Sequence, residues 1–382
     1  MSGTRSQHDR AMLDLAARVA MRGVGAVEPN PTVGCVIGRE HAGGVEILAI
    51  GHHGRFGGLH AEAEALRVCS ERGIDPAGAT AWVTLEPCNH QGKQPPCARA
   101  LIDARIKRVV YASPDPNPVA IGGAGALREA GVTVDESDES DAAIRSSAPF
   151  RYRIETGLPW VVAKWAQTID GFVATSAGDS KWISNLFSRR SVHRLRAKVD
   201  AIVTGIGTVL ADDPLMTARD VPLRRLARRV VVDPKGRLPL DCQLVRSVTG
   251  GAPLTVAVSP SVLERNADWY RTLLERGVDV VAFEPDAEGR FVIADLLRWL
   301  ARERQVSTAM VESGPKLLGA MHEEGLLNQL LVFIAPTLLG DPAAQSSVGG
   351  SPIASIAGAA RYRLDHMKRF GDDVRLLYRA TD

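Results

Sequence analysis

Leu59-His60-Ala61-Glu62 and, further on, Thr84-Leu85-Glu86-Pro87-Cys88-Asn89-His90-Gln91-Gly92-Lys93-Gln94-Pro95-Pro96-Cys97 are the residues around which the chain is organised. One histidine, two cysteines and a glutamate placed this way read as a zinc site that activates water. His60, Cys88 and Cys97 fill three positions on the metal and leave the fourth to a water, whose pKa zinc lowers to ~7. Glu62, two residues past the ligand histidine, is then a proton shuttle and not a ligand. A structural zinc knuckle is the competing reading, with His90 able to supply its fourth ligand. A closed four-ligand site has no use for Glu62, so the open, catalytic site is preferred.

Outward from this stretch the chain alternates helix and strand. Asp9 to Met21 carries apolar residues at helical spacing, Val33 to Ile37 is a short apolar run of strand type, and Glu46 to Ile50 is its hairpin partner. His60 opens a helix of strong helix formers. Ala81 to Leu85 is a strand that delivers Glu86-Pro87-Cys88 into a turn, and Pro95-Pro96 opens a helix from Cys97 to Ala104. Both His60 and Cys97 thus fall at helix N-termini, where thiolate is favoured over thiol. Arg108 to Ala112, a helix from Gly125 to Ala130 and Val132-Thr133-Val134 complete a layered α/β domain ending near Ile144. Asp135 to Ser147 carries a helix into the next domain, and Gly157-Leu158-Pro159 is the clearest break.

At 382 residues two domains are expected. Hydrophobic residues at 45% and charged residues at 24% suit a soluble α/β enzyme. A net charge of +2 and 5% aromatics provide neither the field nor the stacking groove of a nucleic-acid binder. No apolar run approaches the ~18 residues needed to span a membrane, and Met1 to Arg10 lacks the apolar core of a signal peptide. Five cysteines, two of them assigned to metal, suit a reducing cytoplasm, with Cys35, Cys69 and Cys242 as small core residues.

The second half holds strands at Trp160 to Ala166, Ala201 to Thr204, Arg229 to Asp233, Leu254 to Val258, Val278 to Phe283, Thr308 to Val311, Gln329 to Ile334 and Val374 to Tyr378. No Gly-x-Gly-x-x-Gly fingerprint is present, so an ordinary dinucleotide fold has no support. Thr308 to Gly319 reads as a strand, a Gly314-Pro315 turn and a helix start, which exposes backbone N–H groups to an anion such as a cofactor phosphate.

Zinc deaminases pair His-x-Glu with Pro-Cys-x-x-Cys; here eight residues, not two, separate Cys88 from Cys97. That stretched segment, with Asn30-Pro31-Thr32-Val33-Gly34-Cys35 and Asp115-Pro116-Asn117-Pro118, resembles the deaminase half of the bifunctional riboflavin-biosynthesis deaminase/reductase family. Lys164 to Gly171, Ser180-Lys181-Trp182-Ile183, Gly207 to Pro214, Glu312-Ser313-Gly314-Pro315 and Ala335 to Gly340 resemble its reductase half. The resemblance implies a cytidine-deaminase-like three-layer α/β/α domain, residues 1–146, followed by a dihydrofolate-reductase-like α/β domain, residues 147–382. It implies Zn2+ and NADPH as cofactors. NADPH contacts fall at Ala166, Trp182, Thr208, Asp212 and the turn Gly314, Pro315, Lys316, Leu317, Leu318, Gly319 and Ala320. Ser180, Arg196, Met216, Arg219 and Glu312 fall where the family holds the reductase substrate, and Asn30, His90 and Lys93 fall at the deaminase substrate. Two arginines suit a phosphate ester. Met216 stands where the family has leucine. Val119 to Leu127 lacks an expected basic residue, which shifts the phosphate grip to Lys93.

The activity this implies is hydrolytic deamination of 2,5-diamino-6-ribosylamino-4(3H)-pyrimidinone 5′-phosphate, then reduction of its ribosyl group at C1′ by NADPH. Glu62 is the deaminase acid–base. Asp212 and Glu312, both expected where a strand enters a turn, compete for the reductase acid; Asp212 is favoured, with Glu312 gripping substrate. The partners implied are small pyrimidine ribosyl phosphates and a second copy of the chain through the reductase half. A nucleic-acid deaminase and a catalytically silent regulatory protein are the rivals, and the intact His60, Glu62, Cys88 and Cys97 argue against the second.

Overall fold

Cys35, Val36 and Ile37 are fully buried, yet they belong to different cores. Cys35 and Ile37 join Ala61, Ala65, Val83, Leu101 and Leu127, whereas Val36 joins Leu13, Ala16, Trp82 and Val110. Alternate residues of a strand point to opposite faces, so this one run places helices on both sides of a sheet. The computed structural model describes residues 2–91 and 95–381. The strands of the first sheet are β1 (Gly34–His41), β2 (Gly44–His52), β3 (Thr80–Val83), β4 (Arg108–Tyr111) and β5 (Thr133–Glu136), in the order β2-β1-β3-β4-β5. β1 is antiparallel to both neighbours, and β3, β4 and β5 are parallel. On the Val36 face lie α1 (Ser2–Ala20) and, later in the chain, α5 (Asp141–Ser146). The Cys35 face is covered by α2 (Ala61–Glu71), α3 (Cys97–Asp103), α4 (Gly123–Glu129) and α6 (Ala148–Thr156). This is the three-layer α/β/α arrangement.

A buried ionic knot fastens α1 to the sheet. Arg108 forks onto both Asp9 oxygens at 2.7 Å and reaches Asp135 at 2.7 Å and Glu40 at 3.1 Å. The Trp82 indole donates to the same Asp9 at 2.7 Å. Bidentate pairing satisfies a guanidinium that is 6% exposed.

The chain forms two compact units, Met1–Leu158 and Pro159–Asp382. The division falls at the Gly157-Leu158-Pro159 break and not at the expected 146/147. The reason is α6: Phe150 is buried in the first core with Ile154 packed against it, so this helix closes the first unit and does not open the second.

The second unit holds β6 (Trp160–Gln167), β7 (Phe172–Ala174), β8 (Ala201–Gly205), β9 (Arg228–Val232), β10 (Leu254–Val258), β11 (Asp279–Ala282), β12 (Thr308–Val311), β13 (Gln329–Ile334), β14 (Gln345–Ser346), β15 (Tyr362–Phe370) and β16 (Asp373–Ala380). Nine of them form one sheet in the order β11-β10-β9-β8-β12-β6-β13-β16-β15, and β14 pairs with β7. Pairing is parallel from β11 to β13 and antiparallel beyond it. β7, β14 and β15 were not anticipated from the sequence. β15 is an edge strand carrying Arg363, Asp365, Lys368 and Arg369, charges that blunt an edge and erase the apolar alternation. β8, β12 and β6 lie side by side, and in such sheets ligands bind beyond the carboxyl ends of the strands. Two helices frame those ends: α7 (Leu186–Arg196), capped by the Asn185 side chain, and α8 (Ile206–Asp212). No helix among the described residues is long and apolar enough to cross a membrane.

Two candidate active sites

In the first unit His60 is the N-cap residue of α2, and Cys97 opens α3 directly after Pro96. Cys88 lies in the turn after β3, tied to α3 by the Ala98 amide, which donates to the Cys88 carbonyl at 3.2 Å. The His60 Nδ1 is 3.5 Å from the Cys88 Sγ and 3.3 Å from the Cys97 Sγ. Ligands ~2.0–2.3 Å from a tetrahedral zinc stand roughly 3.5 Å apart, so the three donors already have the spacing the metal needs. They form a cluster within 4.8 Å of one another that excludes His90. His90 lies outside that cluster, and its buried Nδ1 has no hydrogen-bond partner among the described residues. The Cys88 thiol is held far below its usual range by a hydrogen bond from Cys97, with His60 adding to the effect. A bound metal deprotonates both thiols outright.

Glu62, in the first turn of α2, is 3% exposed. Burial, with the Cys88 charge adding to it and His60 opposing, lifts its carboxyl to about 7. The surrounding loops are fastened to the ligand turn. Glu86 accepts from the Ala124 amide at 2.9 Å and the Asp115 amide at 3.5 Å, and the Asn89 amide donates to the Ala120 carbonyl. A Cβ on Gly123 would stand 1.7 Å from the Pro87 carbonyl oxygen, so α4 can close on the ligand turn only through glycine. The Asn30 side chain lies beside the His53 ring, and Lys93 lies outside the described residues.

In the second unit the carboxyl end of β12 carries Glu312, 9% exposed. Arg196 of α7 forks onto it at 2.6 and 2.9 Å, and Lys164 of β6 lies 3.5 Å away. Burial opposes ionisation, but Arg196 and Lys164 outweigh it and hold the carboxyl at about 2. The Arg196 guanidinium directs three of its five N–H groups to Glu312 and the Thr217 carbonyl, whereas Arg219 is exposed. Lys164, which sits in a quoted motif, was overlooked as a site cation. The Met216 side chain is buried in the core with φ at 52°, which leaves its backbone to face a ligand. Ser180 is half-buried in the loop before α7.

Asp212 ends α8 and does not follow a strand. It lies 3.4 Å from Lys181 and is 36% exposed. Thr208 of α8 accepts from the Gly314 amide at 3.3 Å, and Ser313 Oγ accepts from the Gly205 amide at 3.0 Å. A Cβ on Gly207 or Gly314 would meet nothing within 4 Å. Two glycine backbones thus face open space beside a helix N-terminus, the surroundings a pyrophosphate requires. Leu317 and Leu318 are buried, and a Cβ on Gly319 would stand 2.5 Å from Gly349. These three contribute packing, with backbone alone available to a cofactor. Trp182 is exposed, with Arg189 stacked 4.5 Å from its ring centre.

Two family models match the chain: the cytidine and deoxycytidylate deaminase zinc-binding region over residues 6–113, and the RibD C-terminal domain over residues 159–376. Riboflavin biosynthesis protein RibD of Actinobacillus pleuropneumoniae is 38% identical over 364 residues, 95% of this chain and 93% of that one. That of Aquifex aeolicus is 35% identical over 97% of this chain and 98% of its own. The chain belongs to the RibD family. Among solved structures, RibD of Acinetobacter baumannii superposes with a TM-score of 0.81 at 33% identity, over 99% of this chain and 100% of that one. The deaminase/reductase of Thermotoga maritima gives 0.81 at 28% identity over the same shares. As a RibD-family protein the chain is a bifunctional enzyme of riboflavin biosynthesis, with a zinc-dependent deaminase and an NADPH-dependent reductase. The donor cluster fits the first cofactor, and the open glycine cradle fits the second.

Proposed function

We propose that His60, Cys88 and Cys97 hold the deaminase zinc and that Glu62 moves the protons of the hydrolysis. Zinc bound there supplies a water acidic enough to lose a proton near neutral pH. Glu62 would take one proton from that water and hand it to the pyrimidine ring nitrogen, then take the second from the newly added hydroxyl and hand it to the amino group, which leaves as ammonia. Asn30 and His90 contact the pyrimidine, and Lys93 is assigned to its phosphate. The observation that carries this reading is the three-donor cluster with one buried carboxyl beside it. The test is metal content: Cys88→Ser should lose most of its zinc while His90→Ala keeps a full complement, and full occupancy in Cys88→Ser refutes the ligand set.

In the reductase, Ala166, Trp182, Thr208, Asp212 and the backbone from Gly314 to Ala320 face NADPH, which supplies the electrons for reduction at C1′. Ser180, Arg219 and the Met216 backbone, with Glu312 and Arg196 behind them, face the ribosyl phosphate. Glu312 is held ionised by two buried cations, which leaves Asp212, more exposed and paired with Lys181, as the carboxyl able to serve as acid. A second reading has one observation in its favour. Burial lowers the Lys164 ammonium pKa, and a less basic ammonium gives up its proton more readily. Asp212→Asn discriminates: a fall in kcat with unchanged NADPH affinity supports Asp212, and a parental rate transfers the role to Lys164. The chain acts in the cytoplasm, where its free cysteines stay reduced. It pairs as a homodimer through the reductase unit, whose β15 edge exposes Leu364 and Met367.

A further inference from the structure

We propose that His53 is a positioning residue of the deaminase, fixing which way round the Asn30 carboxamide faces the substrate. The inference rests on the assignment of Asn30 to substrate binding. His53 follows β2 and is 2% exposed. Its Nδ1 lies 2.8 Å from the Leu59 carbonyl oxygen. A carbonyl only accepts, so Nδ1 carries the hydrogen, and the lone pair of the neutral ring belongs to Nε2. That Nε2 is 3.4 Å from the Asn30 Nδ2. Only the amide nitrogen can donate to a lone pair; the reversed amide would set Oδ1 against Nε2, acceptor to acceptor. The orientation of an asparagine amide is ordinarily ambiguous. Here the Leu59 carbonyl settles it through the imidazole.

The consequence is chemical. Asn30 is half-exposed, and its side chain has no other hydrogen-bond partner among the described residues. With one Nδ2–H engaged by His53, Oδ1 remains as an acceptor and the second Nδ2–H as a donor. This pair is the complement of a pyrimidinone's lactam edge, whose ring N–H donates and whose neighbouring carbonyl accepts. A flipped amide would face donor with donor and acceptor with acceptor, an arrangement by which polar sites reject a ligand. Leu59 also precedes the ligand His60, so one loop sets both the metal ligand and, through His53, the amide.

The rival role for His53 is support of His60, because the two rings pack edge to face with centroids 5.4 Å apart. Four variants of the full, zinc-loaded chain separate the two. In His53→Asn the new amide nitrogen overlays the position of Nδ1, so it can still donate to Leu59 but offers Asn30 nothing. In His53→Gln the new amide oxygen overlays the position of Nε2 and restores the acceptor. We expect His53→Asn to keep its zinc and its reductase rate and to raise the deaminase KM by about three- to tenfold, the worth of one hydrogen bond. His53→Gln should recover most of that loss. Asn30→Ala should raise KM at least as much, and Asn30→Ala combined with His53→Asn should be no worse than Asn30→Ala alone, because His53 acts only through Asn30. Zinc loss in His53→Asn, an unchanged KM, no recovery in His53→Gln, or additive effects in the double variant each overturn the proposal. An unchanged KM in Asn30→Ala overturns instead the assignment of Asn30 on which it rests.

Discussion

Glu62→Gln keeps its zinc and loses ~10²–10⁴ in deamination rate, the contribution of a positioned proton donor and acceptor. Its reduction of deaminated substrate runs at the parental rate. The reasoning starts from placement: Glu62 lies in the first turn of α2 beside the ligand cluster but contributes no ligand atom to it. Burial raises its carboxyl above the ordinary carboxylate range, which favours uptake of a proton from a neighbouring water. Glutamine has the same volume and carries no charge, so a site that is 3% exposed accepts it without a cavity or a stranded ion. Metal analysis, ammonia release and NADPH oxidation on one preparation read the three outcomes separately. A parental deamination rate removes Glu62 from the mechanism, and lost zinc would make it a ligand.

The second large effect lies in the other unit. Glu312→Gln should destabilise the reductase by ~3–5 kcal/mol, because removing one partner of a buried ionic cluster leaves its counter-charges uncompensated. Here two cations are stranded: Arg196, forked onto Glu312, and Lys164 at 3.5 Å. Reduction should fall with it, and deamination should not. The effect has a defined dependence on acidity. Arg196 and Lys164, against the opposition of burial, depress the Glu312 carboxyl from 4.5 to about 2. The stability it contributes is thus fully present above pH ~4.5 and is lost as pH falls toward 2. Thermal melting of parent and variant should differ most near neutrality and converge in acid. Equal melting at neutral pH refutes the account.

The zinc half was readable because each of its determinants is local. A proline before Cys88, two before Cys97 and a run of helix formers after His60 are short-range signals that place the ligands at a turn and two helix starts. The reductase cluster had no such signal. Arg196 and Lys164 stand 116 and 148 residues before Glu312, and only the side-by-side arrangement of β6, β8 and β12 brings them together. Read alone, neither Arg196 nor Lys164 announces that it pairs with Glu312. His53 belongs to the same class, a buried histidine whose value lies in what its two nitrogens face. Met216 differs for another reason: with φ at 52°, its side chain lies in the core, which its neighbours in sequence do not announce. The layered α/β architecture was legible from helical spacing alternating with short apolar strand runs, whereas α6 was placed with the second unit because nothing near Phe150 announces which core it fills.

The knot that joins Arg108, Asp9 and Trp82 also gives the deaminase a private optical signal. Of six tryptophans, Trp160, Trp165, Trp182, Trp269 and Trp299 belong to the reductase unit, and Trp82 alone to the deaminase. Its indole is fully buried and donates to a carboxylate on α1. Undocking of that helix would expose the ring to water and shift its emission to the red. With the other five tryptophans replaced by phenylalanine, fluorescence would follow the loosening of the zinc-binding half by itself.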